Sequence, residues 1–572
     1  MTGSTVGRAG RHAIALSCLL GALLLHSAWL IGQDARIPAR TTDQMNIGLM
    51  VLKTDHPELF SRDQAFSDPE LFRFYTPTFL EITRVLNRWT GDLDPSLRLL
   101  LPVLIALYAV GMYVLLYDVT GSVAASAAIA GASSLLYRLL GSELWGVASM
   151  KAVLPRSLFL AVVPWVALAL LRWWRGGPAW LLPTCGLAAG LAANVHPVSG
   201  LVLVEVLLVM SVLGRRPGAR AAGATLLTAL LALIGASPMV AHFLSTTAPP
   251  FVPDFPFEAF RSSLKAHHRT FYPFARDQAA LTAFVVGWMA AMILWLIALW
   301  CHRRGQVSGA LFAAGLALQL PAASLITLFR SWPLILMAAA YAWLRWKKRA
   351  PDRLDWGILA LMATVAGLAL AGTCALDQLW ARFELWKLST LVGEHGRAAR
   401  LLPLPLFLLA ARLIAAVTAG AGAARRWAVA LALAALVAGP SINTALRERS
   451  RIEQQSAARH DFRQMAAWAR NDTPVDSLFY TDDLEFRLRA QRSITHCWKD
   501  IGLSYYTMSR FQGFLKRYRE MQGARGDPAR LAALSREHGI DYVVEEPGRT
   551  LPFEVVFRND HHVVYRLSAR PD

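Results

Sequence analysis

Charge is scarce in this chain of 572 residues: Asp, Glu, Lys and Arg together make up 17%, while 55% of positions are hydrophobic. No single water-exposed core can bury that much apolar surface, so a one-domain soluble enzyme is excluded and a bilayer must solvate much of the chain. Cysteine is scarce as well. The five residues, at positions 18, 185, 301, 374 and 497, include no CxxC pair, so neither a disulfide framework nor a thiolate zinc site is supported. Acidic residues are outnumbered 39 to 58 by Lys and Arg, leaving a net charge of +19. The bases punctuate the spaces between apolar runs rather than forming one polar patch. That distribution reads as membrane topology and argues against nucleic acid as a partner.

Apolar stretches long enough to cross about 30 Å of hydrocarbon lie near 13–32, 98–117, 120–140, 153–172, 178–195, 197–213, 221–243, 281–300, 308–328, 331–345, 356–376, 401–420 and 426–443. They predict an α-helical polytopic membrane protein of about thirteen spans. The first stretch follows Arg8 and Arg11 as a signal peptide would. It is long for a cleaved segment and lacks a small-residue cleavage site, so it reads as a retained span. Starting from a cytoplasmic N-terminus, the loops RWWRGG, GRRPGAR, HRRG, RWKKRAPDR and AARR all fall inside, each with at least two bases. The turns at Asn194–Pro197 and Phe329–Trp332 fall outside with none and one. The positive-inside rule therefore gives the orientation. It puts 33–97, 244–280, 377–400 and the tail from about 446 on the extracytoplasmic side, in the lipid-facing setting of a cell (inner) membrane. The tightest reversals, at His196 and Trp332, decide the parity of everything after them.

The division that follows is a transmembrane part over 1–445 and an extracytoplasmic α/β domain over 446–572. In the tail, FRQMAAWAR reads as a helix closed by Asn471-Asp472-Thr473-Pro474 and SLFYT as a strand. DPARLAALSREHGI reads as a helix stopped at Gly539, DYVVEE as a buried strand, and FEVVFRNDHHVVYRL as a hairpin around Asn559-Asp560. In the first external loop Ser67-Asp68-Pro69 looks like a helix start, with Gly91 as its end.

Intramembrane acids and bases mark ion-coupled transporters, because a charge in hydrocarbon costs several kcal/mol. The spans are nearly free of them, with Arg138 and Asp118 near span ends, and this counts against that class. The polar residues gather instead in the loop over 33–97. A span, then Asp43 about ten positions into that loop, an interfacial helix, the Tyr75-Thr76-Pro77 motif, the stretch GDLDPSLRLLLPVLIALYAVGMYVLLYDVTGS and a GLAAGLAANVHP span follow in that order. Over residues 40–200 this resembles the start of GT-C superfamily glycosyltransferases, polytopic enzymes that use polyprenyl-phosphate-linked sugars. FRLRAQRSITHCWKD in the tail resembles a domain of unassigned function found at the ends of bacterial membrane proteins.

The resemblance implies transfer of a sugar from a polyprenyl-phosphate donor to a lipid, glycan or protein acceptor, with the early loop acid as catalytic base. The matching residue is Asp43, which is also placed to cap the helix that follows it. Asp55 and His56 form a second acid/base or metal pair, and Asp-His-Pro is equally an ordinary turn. In the second external loop, where the family often completes a metal site, Glu143 is the only acid. The later family acids are replaced by Lys151 and Arg156, which disfavours a divalent metal and suits a lipid phosphate. His196, and Lys265, His267, His268 and Arg269 in the loop over 244–280, complete the candidate phosphate-binding set, all of them equally at home at a membrane surface. Arg487, Arg489, Arg492 and Lys499 form a basic cluster in the tail, suited to a solvated face, to an anionic glycan or headgroup, or to docking on the acidic first loop. The rival reading is a non-catalytic GT-C relative that binds lipid or glycan.

Overall fold

A computed structural model describes residues 5–36, 42–72, 75–91, 93–136, 145–149, 153–214, 219–246, 325–347, 351–371, 398, 400–454, 456–500 and 508–567. In chain order its helices are α1 (Thr5–Arg36), α2 (Thr42–Asp55), α3 (Pro77–Thr90), α4 (Leu93–Thr120), α5 (Val123–Leu135), α6 (Pro155–Trp174), α7 (Leu181–Ala193), α8 (Pro197–Gly214) and α9 (Ala219–Thr246). There follow α10 (Leu325–Lys347), α11 (Arg353–Ala371), α12 (Pro403–Val417), α13 (Ala423–Gln454), α14 (Ser456–Asp472), α15 (Leu484–Ala490), α16 (Met508–Gln522) and α17 (Pro528–His538). The strands are β1 (Leu478–Tyr480), β2 (Ser493–Ile494), β3 (Tyr542–Glu545), β4 (Glu554–Arg558) and β5 (Val563–Arg566). The chain divides into two compact units. One comprises 1–30, 98–241 and 268–445; the other joins 31–97 and 242–267 to the tail from 446.

In the first unit the apolar runs form helices because every backbone N–H and C=O must be satisfied internally in lipid. Among the described residues, six helices are long and apolar enough to cross a membrane: Ala9–Trp29, Leu99–Thr120, Pro155–Trp174, Pro197–Gly214, Ala222–His242 and Ala423–Asn443. Val123–Leu135, Leu181–Ala193, Pro333–Arg345 and Pro403–Val417 are shorter apolar helices. The expected span at 281–300 and most of that at 308–328 lie outside the described residues. The turn expected at Phe329–Trp332 is absent: α10 runs through it with Pro333 inside the helix. Proline removes one donor of the ladder, a loss that a helix can accommodate without reversing.

The α7–α9 contact shows how small residues set the packing. A Cβ at Gly186 or Gly190 would strike the backbone carbonyls of Thr228 or Ala232, the close approach that glycines four apart permit between membrane helices. Pro238 interrupts the α9 ladder, and Asn194 repairs it. Its Nδ2 donates to Gly235 O at 2.8 Å and its Oδ1 accepts from Met239 N at 2.9 Å, so the side-chain amide bridges a backbone pair that would otherwise bond within the helix.

Loops far apart in sequence meet at one end of this unit. Arg172 bonds Asp118 at 2.9 Å and Arg175 joins the same carboxylate. Trp174 Nε1 donates to Arg353 O at 3.0 Å. Fully buried Asp355 accepts from Tyr341 Oη at 2.7 Å and is paired with Arg345 at 2.8 Å and Arg412 at 2.9 Å. Arg412 also donates to Val119 O at 3.2 Å. Arg412 on α12 and Glu205 on α8 correct the expectation of nearly charge-free spans. Arg412 is retained there because it has two acids, Asp352 and Asp355, to compensate its desolvation.

The second unit contains a five-stranded mixed sheet in the order β2-β1-β3-β5-β4. β1 is parallel to β2 and β3, whereas β5 is antiparallel to β3 and β4. Leu478, Tyr480, Met521, Leu531, Ile540, Val543, Val563 and Tyr565 form its core. The first-loop helix starts later than the sequence suggests. Asp68 caps only a short 3₁₀ turn, Pro69–Phe72, by accepting from Glu70 N at 2.9 Å. The helix itself begins at Pro77, which would break a helix running through it from Pro69, and ends at Gly91 with φ +69°.

Candidate active site

Asp43 lies in the first turn of α2, where an acid opposes the positive end of the helix dipole. The helix is held by its apolar face, with Ile47, Leu49, Met50 and Val51 buried. Its far end is held by Lys53, whose ammonium donates to Pro57 O at 2.6 Å and Leu59 O at 2.8 Å. Asp43 Oδ1 sits 2.7 Å from Lys499 Nζ, in a half-exposed ion pair. Lys499 belongs to the 3₁₀ turn Trp498–Asp500, so a first-loop acid and a tail base form one site within the same compact unit.

The turn that carries Lys499 is fixed by the residue next to it. Asp500 is bound in two-pronged fashion by Arg487, at 2.9 Å and 2.7 Å, and Arg487 Nε reaches Asp63 Oδ2 at 2.8 Å. Arg487, Asp500 and Asp63 are all buried. Asp63 further accepts from the backbone N–H groups of Ala65 (2.9 Å), Phe66 (3.2 Å) and Ile494 (3.1 Å), and the guanidinium lies 5.0 Å from the centre of the Phe66 ring. Burial works against the charge on Arg487, but Asp500 and Asp63 overcome it and its pKa ends above the ordinary guanidinium value. Burial also raises the pKa of Asp500, with Arg487 opposing.

A second anchor lies close by. Arg62 donates to Asp541 Oδ2 at 2.6 Å and to Gly539 O. Gly539, at φ +67°, is the left-handed stop of α17, and a side chain there would meet the guanidinium.

Of the tail's basic cluster, Arg487 and Lys499 dock on the first loop. Arg489 pairs with Glu485 at 2.7 Å, and Arg492 donates to Arg470 O at 2.6 Å and Thr473 O at 2.7 Å. A sequence signal for Arg487 exists: it falls three residues from both Leu484 and Ala490 on the buried side of α15, where a charge must find a partner. Asp63 and Asp500 carry no comparable signal, because their burial depends on residues more than 400 positions apart in the chain being brought together.

Asp55 accepts from Arg84 at 3.0 Å and 2.7 Å and lies 3.5 Å from Arg88, which ties α2 to α3. His56 is exposed, 3.5 Å from Glu58. In the first unit, His196 Nδ1 accepts from Ser199 N at 3.3 Å and its Nε2 lies 3.4 Å from Arg400 Nη1. Buried Arg400 also donates to Ser199 Oγ at 3.1 Å. The His196 ring is 6.3 Å from that of Phe159, on the helix whose first turn carries half-buried Arg156. Arg400 is thus an addition to the set read from sequence. Glu143, Lys151, Lys265, His267, His268 and Arg269, like Arg138, lie outside the described residues. Among the described residues no three His, Cys, Asp or Glu side chains are grouped as metal ligands.

Residues 460–504 match a domain of unknown function (DUF6798). That stretch contains Arg487, Lys499 and Asp500. No curated protein matches the sequence. Among solved structures, the chain is similar to the apo oligosaccharyltransferase of Archaeoglobus fulgidus, at 12% identity and a TM-score of 0.49, over 93% of this chain and 69% of that one. It is also similar to ArnT from Cupriavidus metallidurans bound to undecaprenyl phosphate, at 14% identity and a TM-score of 0.42, over 97% of this chain and 98% of that one.

Proposed function

We propose that the protein is a membrane glycosyltransferase that moves a sugar from a polyprenyl-phosphate donor to an acceptor on the extracytoplasmic face. The observation that carries this reading is Asp43: a half-exposed carboxylate early in the first loop, held 2.7 Å from a cation on a turn that is itself locked by a buried ion triad. A base must be fixed in place and still reachable by the acceptor, and this acid is both. Asp43 takes the proton of the acceptor hydroxyl as its oxygen attacks the anomeric carbon. The polyprenyl phosphate leaves with the electrons of the broken bond, with inversion. Lys499 positions the carboxylate through their ion pair. Arg156, His196, Lys151 and the loop carrying Lys265, His267, His268 and Arg269 are the proposed cations for the donor phosphate, to which we add Arg400. Asp55, engaged by Arg84, is assigned to holding α3, and His56 to the loop surface.

The test is transfer from radiolabelled polyprenyl-phosphate hexoses to envelope lipids and glycans by purified full-length protein. Asp43→Asn lowers the rate by about 10²- to 10⁴-fold, the usual contribution of a general base. Transfer at the wild-type rate by this variant would overturn the mechanism. No transfer by the wild type, with lipid or glycan still bound, would favour the rival reading, a GT-C relative that binds lipid or glycan without catalysis.

A further inference from the structure

The transfer reading leaves open which acceptor Asp43 serves, and the surface beside Lys499 bears on it. Trp498 precedes Lys499 on the same turn and is 37% exposed, although a tryptophan usually covers most of its surface. Its ring packs 5.2 Å from Tyr518 of α16, and Tyr518 packs 5.7 Å from the buried ring of His496. His496 Nε2 meets Gln522 Nε2 at 3.2 Å, and Gln522 reaches Asp482 at 3.5 Å. Both Gln522 and Asp482 are exposed. The row therefore runs from an open aromatic face, one residue from the lysine that holds the proposed base, to an amide and a carboxylate at the surface.

We propose that Trp498, Tyr518, Gln522 and Asp482 form a saccharide-binding strip that lays an uncharged sugar acceptor beside Asp43. It rests on the transferase reading for the role of Asp43 only. A sugar ring has apolar C–H faces and a rim of hydroxyls, and it needs a flat aromatic surface flanked by planar donors and acceptors. Among the strip's own residues no cation is left unmatched. Lys499 is paired with Asp43, and burial holds His496 neutral at pH 7 with its pKa down to about 4. At the far end of the strip the Asp482 carboxylate accepts from hydroxyls and repels phosphate, sulfate and uronate groups, with the Arg517 and Arg525 guanidiniums also near enough to act on His496. The strip is also stiff, because Asp500, the residue after Lys499, is clamped by Arg487. A preorganised surface loses little entropy when it binds.

The experiment is binding of the detergent-purified full chain to a printed array of neutral and acidic oligosaccharides. The wild type retains neutral glycans. Trp498→Ala weakens that binding roughly tenfold, and Gln522→Ala weakens it by a smaller factor. A wild-type chain that retains neutral glycans but transfers no sugar would sink the mechanism above and leave this strip standing. Three results would overturn the proposal. They are no glycan retained by the wild type, acidic glycans alone retained, or Trp498→Ala binding unchanged while the variant loses adsorption to phosphatidylglycerol vesicles. The last would assign Trp498 to the membrane surface.

Discussion

Replacing Arg487 with methionine tests the joint between the first loop and the tail. The guanidinium serves two buried carboxylates through contacts of 2.7 to 2.9 Å, and its side chain is 1% exposed. Methionine fills much of the volume but leaves Asp63 and Asp500 without their cation. Removing one partner of a buried ion pair costs about 3–5 kcal/mol. The loss appears as local opening, read by hydrogen–deuterium exchange at the amides of Ala65, Phe66 and Ile494, which donate to Asp63. Their exchange speeds up by roughly 10²- to 4 × 10³-fold, at a factor of ten per 1.4 kcal/mol. Buried ion pairs can often be exchanged for apolar residues without loss, but this one cannot. A triple variant, Arg487→Met with Asp63→Leu and Asp500→Leu, would strand those three backbone N–H groups at about 1–3 kcal/mol each, so it does not restore protection. Exchange within threefold of the wild type in Arg487→Met, or rescue by the triple variant, would refute the reasoning.

Other outcomes follow from the same contacts. Asn194→Ala leaves Gly235 O and Met239 N unbridged at Pro238 and lowers the thermal stability of the detergent-purified chain, by about 1–3 kcal/mol for each buried group left unsatisfied. The equally small Asn194→Ser recovers none of it unless its hydroxyl reaches Met239 N. His496 has a folded pKa of about 4 against an ordinary 6.5, lowered by burial and then by Arg487, Arg517 and Arg525 against the opposing pull of Asp482. A depressed histidine pKa means its contribution is fully present above pH 6.5 and is lost as pH falls toward 4, an effect of up to roughly 3 kcal/mol. His496→Gln flattens that part of a pH-dependent melting curve, and a curve of unchanged shape would count against a buried neutral ring. Lys499→Met lowers the transfer rate less than Asp43→Asn does, because it positions the base and carries no proton; an equal loss in both would give Lys499 a direct part in the reaction.

What the sequence determined by itself was the class of molecule. Apolar runs of span length, spaced by Arg and Lys, can be solvated only by lipid, and helices are what such runs must form there. The tail pattern also announced α14, β1, α17 with its Gly539 stop, β3 and the β4–β5 hairpin, since period and turn chemistry are local. Local rules misplaced the start of α3, because a weak Asp-Pro signal at 68–69 competes with a stronger proline break at Pro77. They also put a turn where α10 continues, because a proline in a helix and a proline after a turn look alike in one dimension. The role of Asn194 depended on Pro238, forty-four residues later, and the burial of Arg487 on Asp63, more than four hundred residues earlier. Only the tertiary structure could decide these, since the cost of burying a charge or an amide is fixed by the partner it meets and not by its neighbours in the chain. The same holds for Asp43: its position in the loop was legible in the sequence, and the Lys499 that holds it was set by the fold.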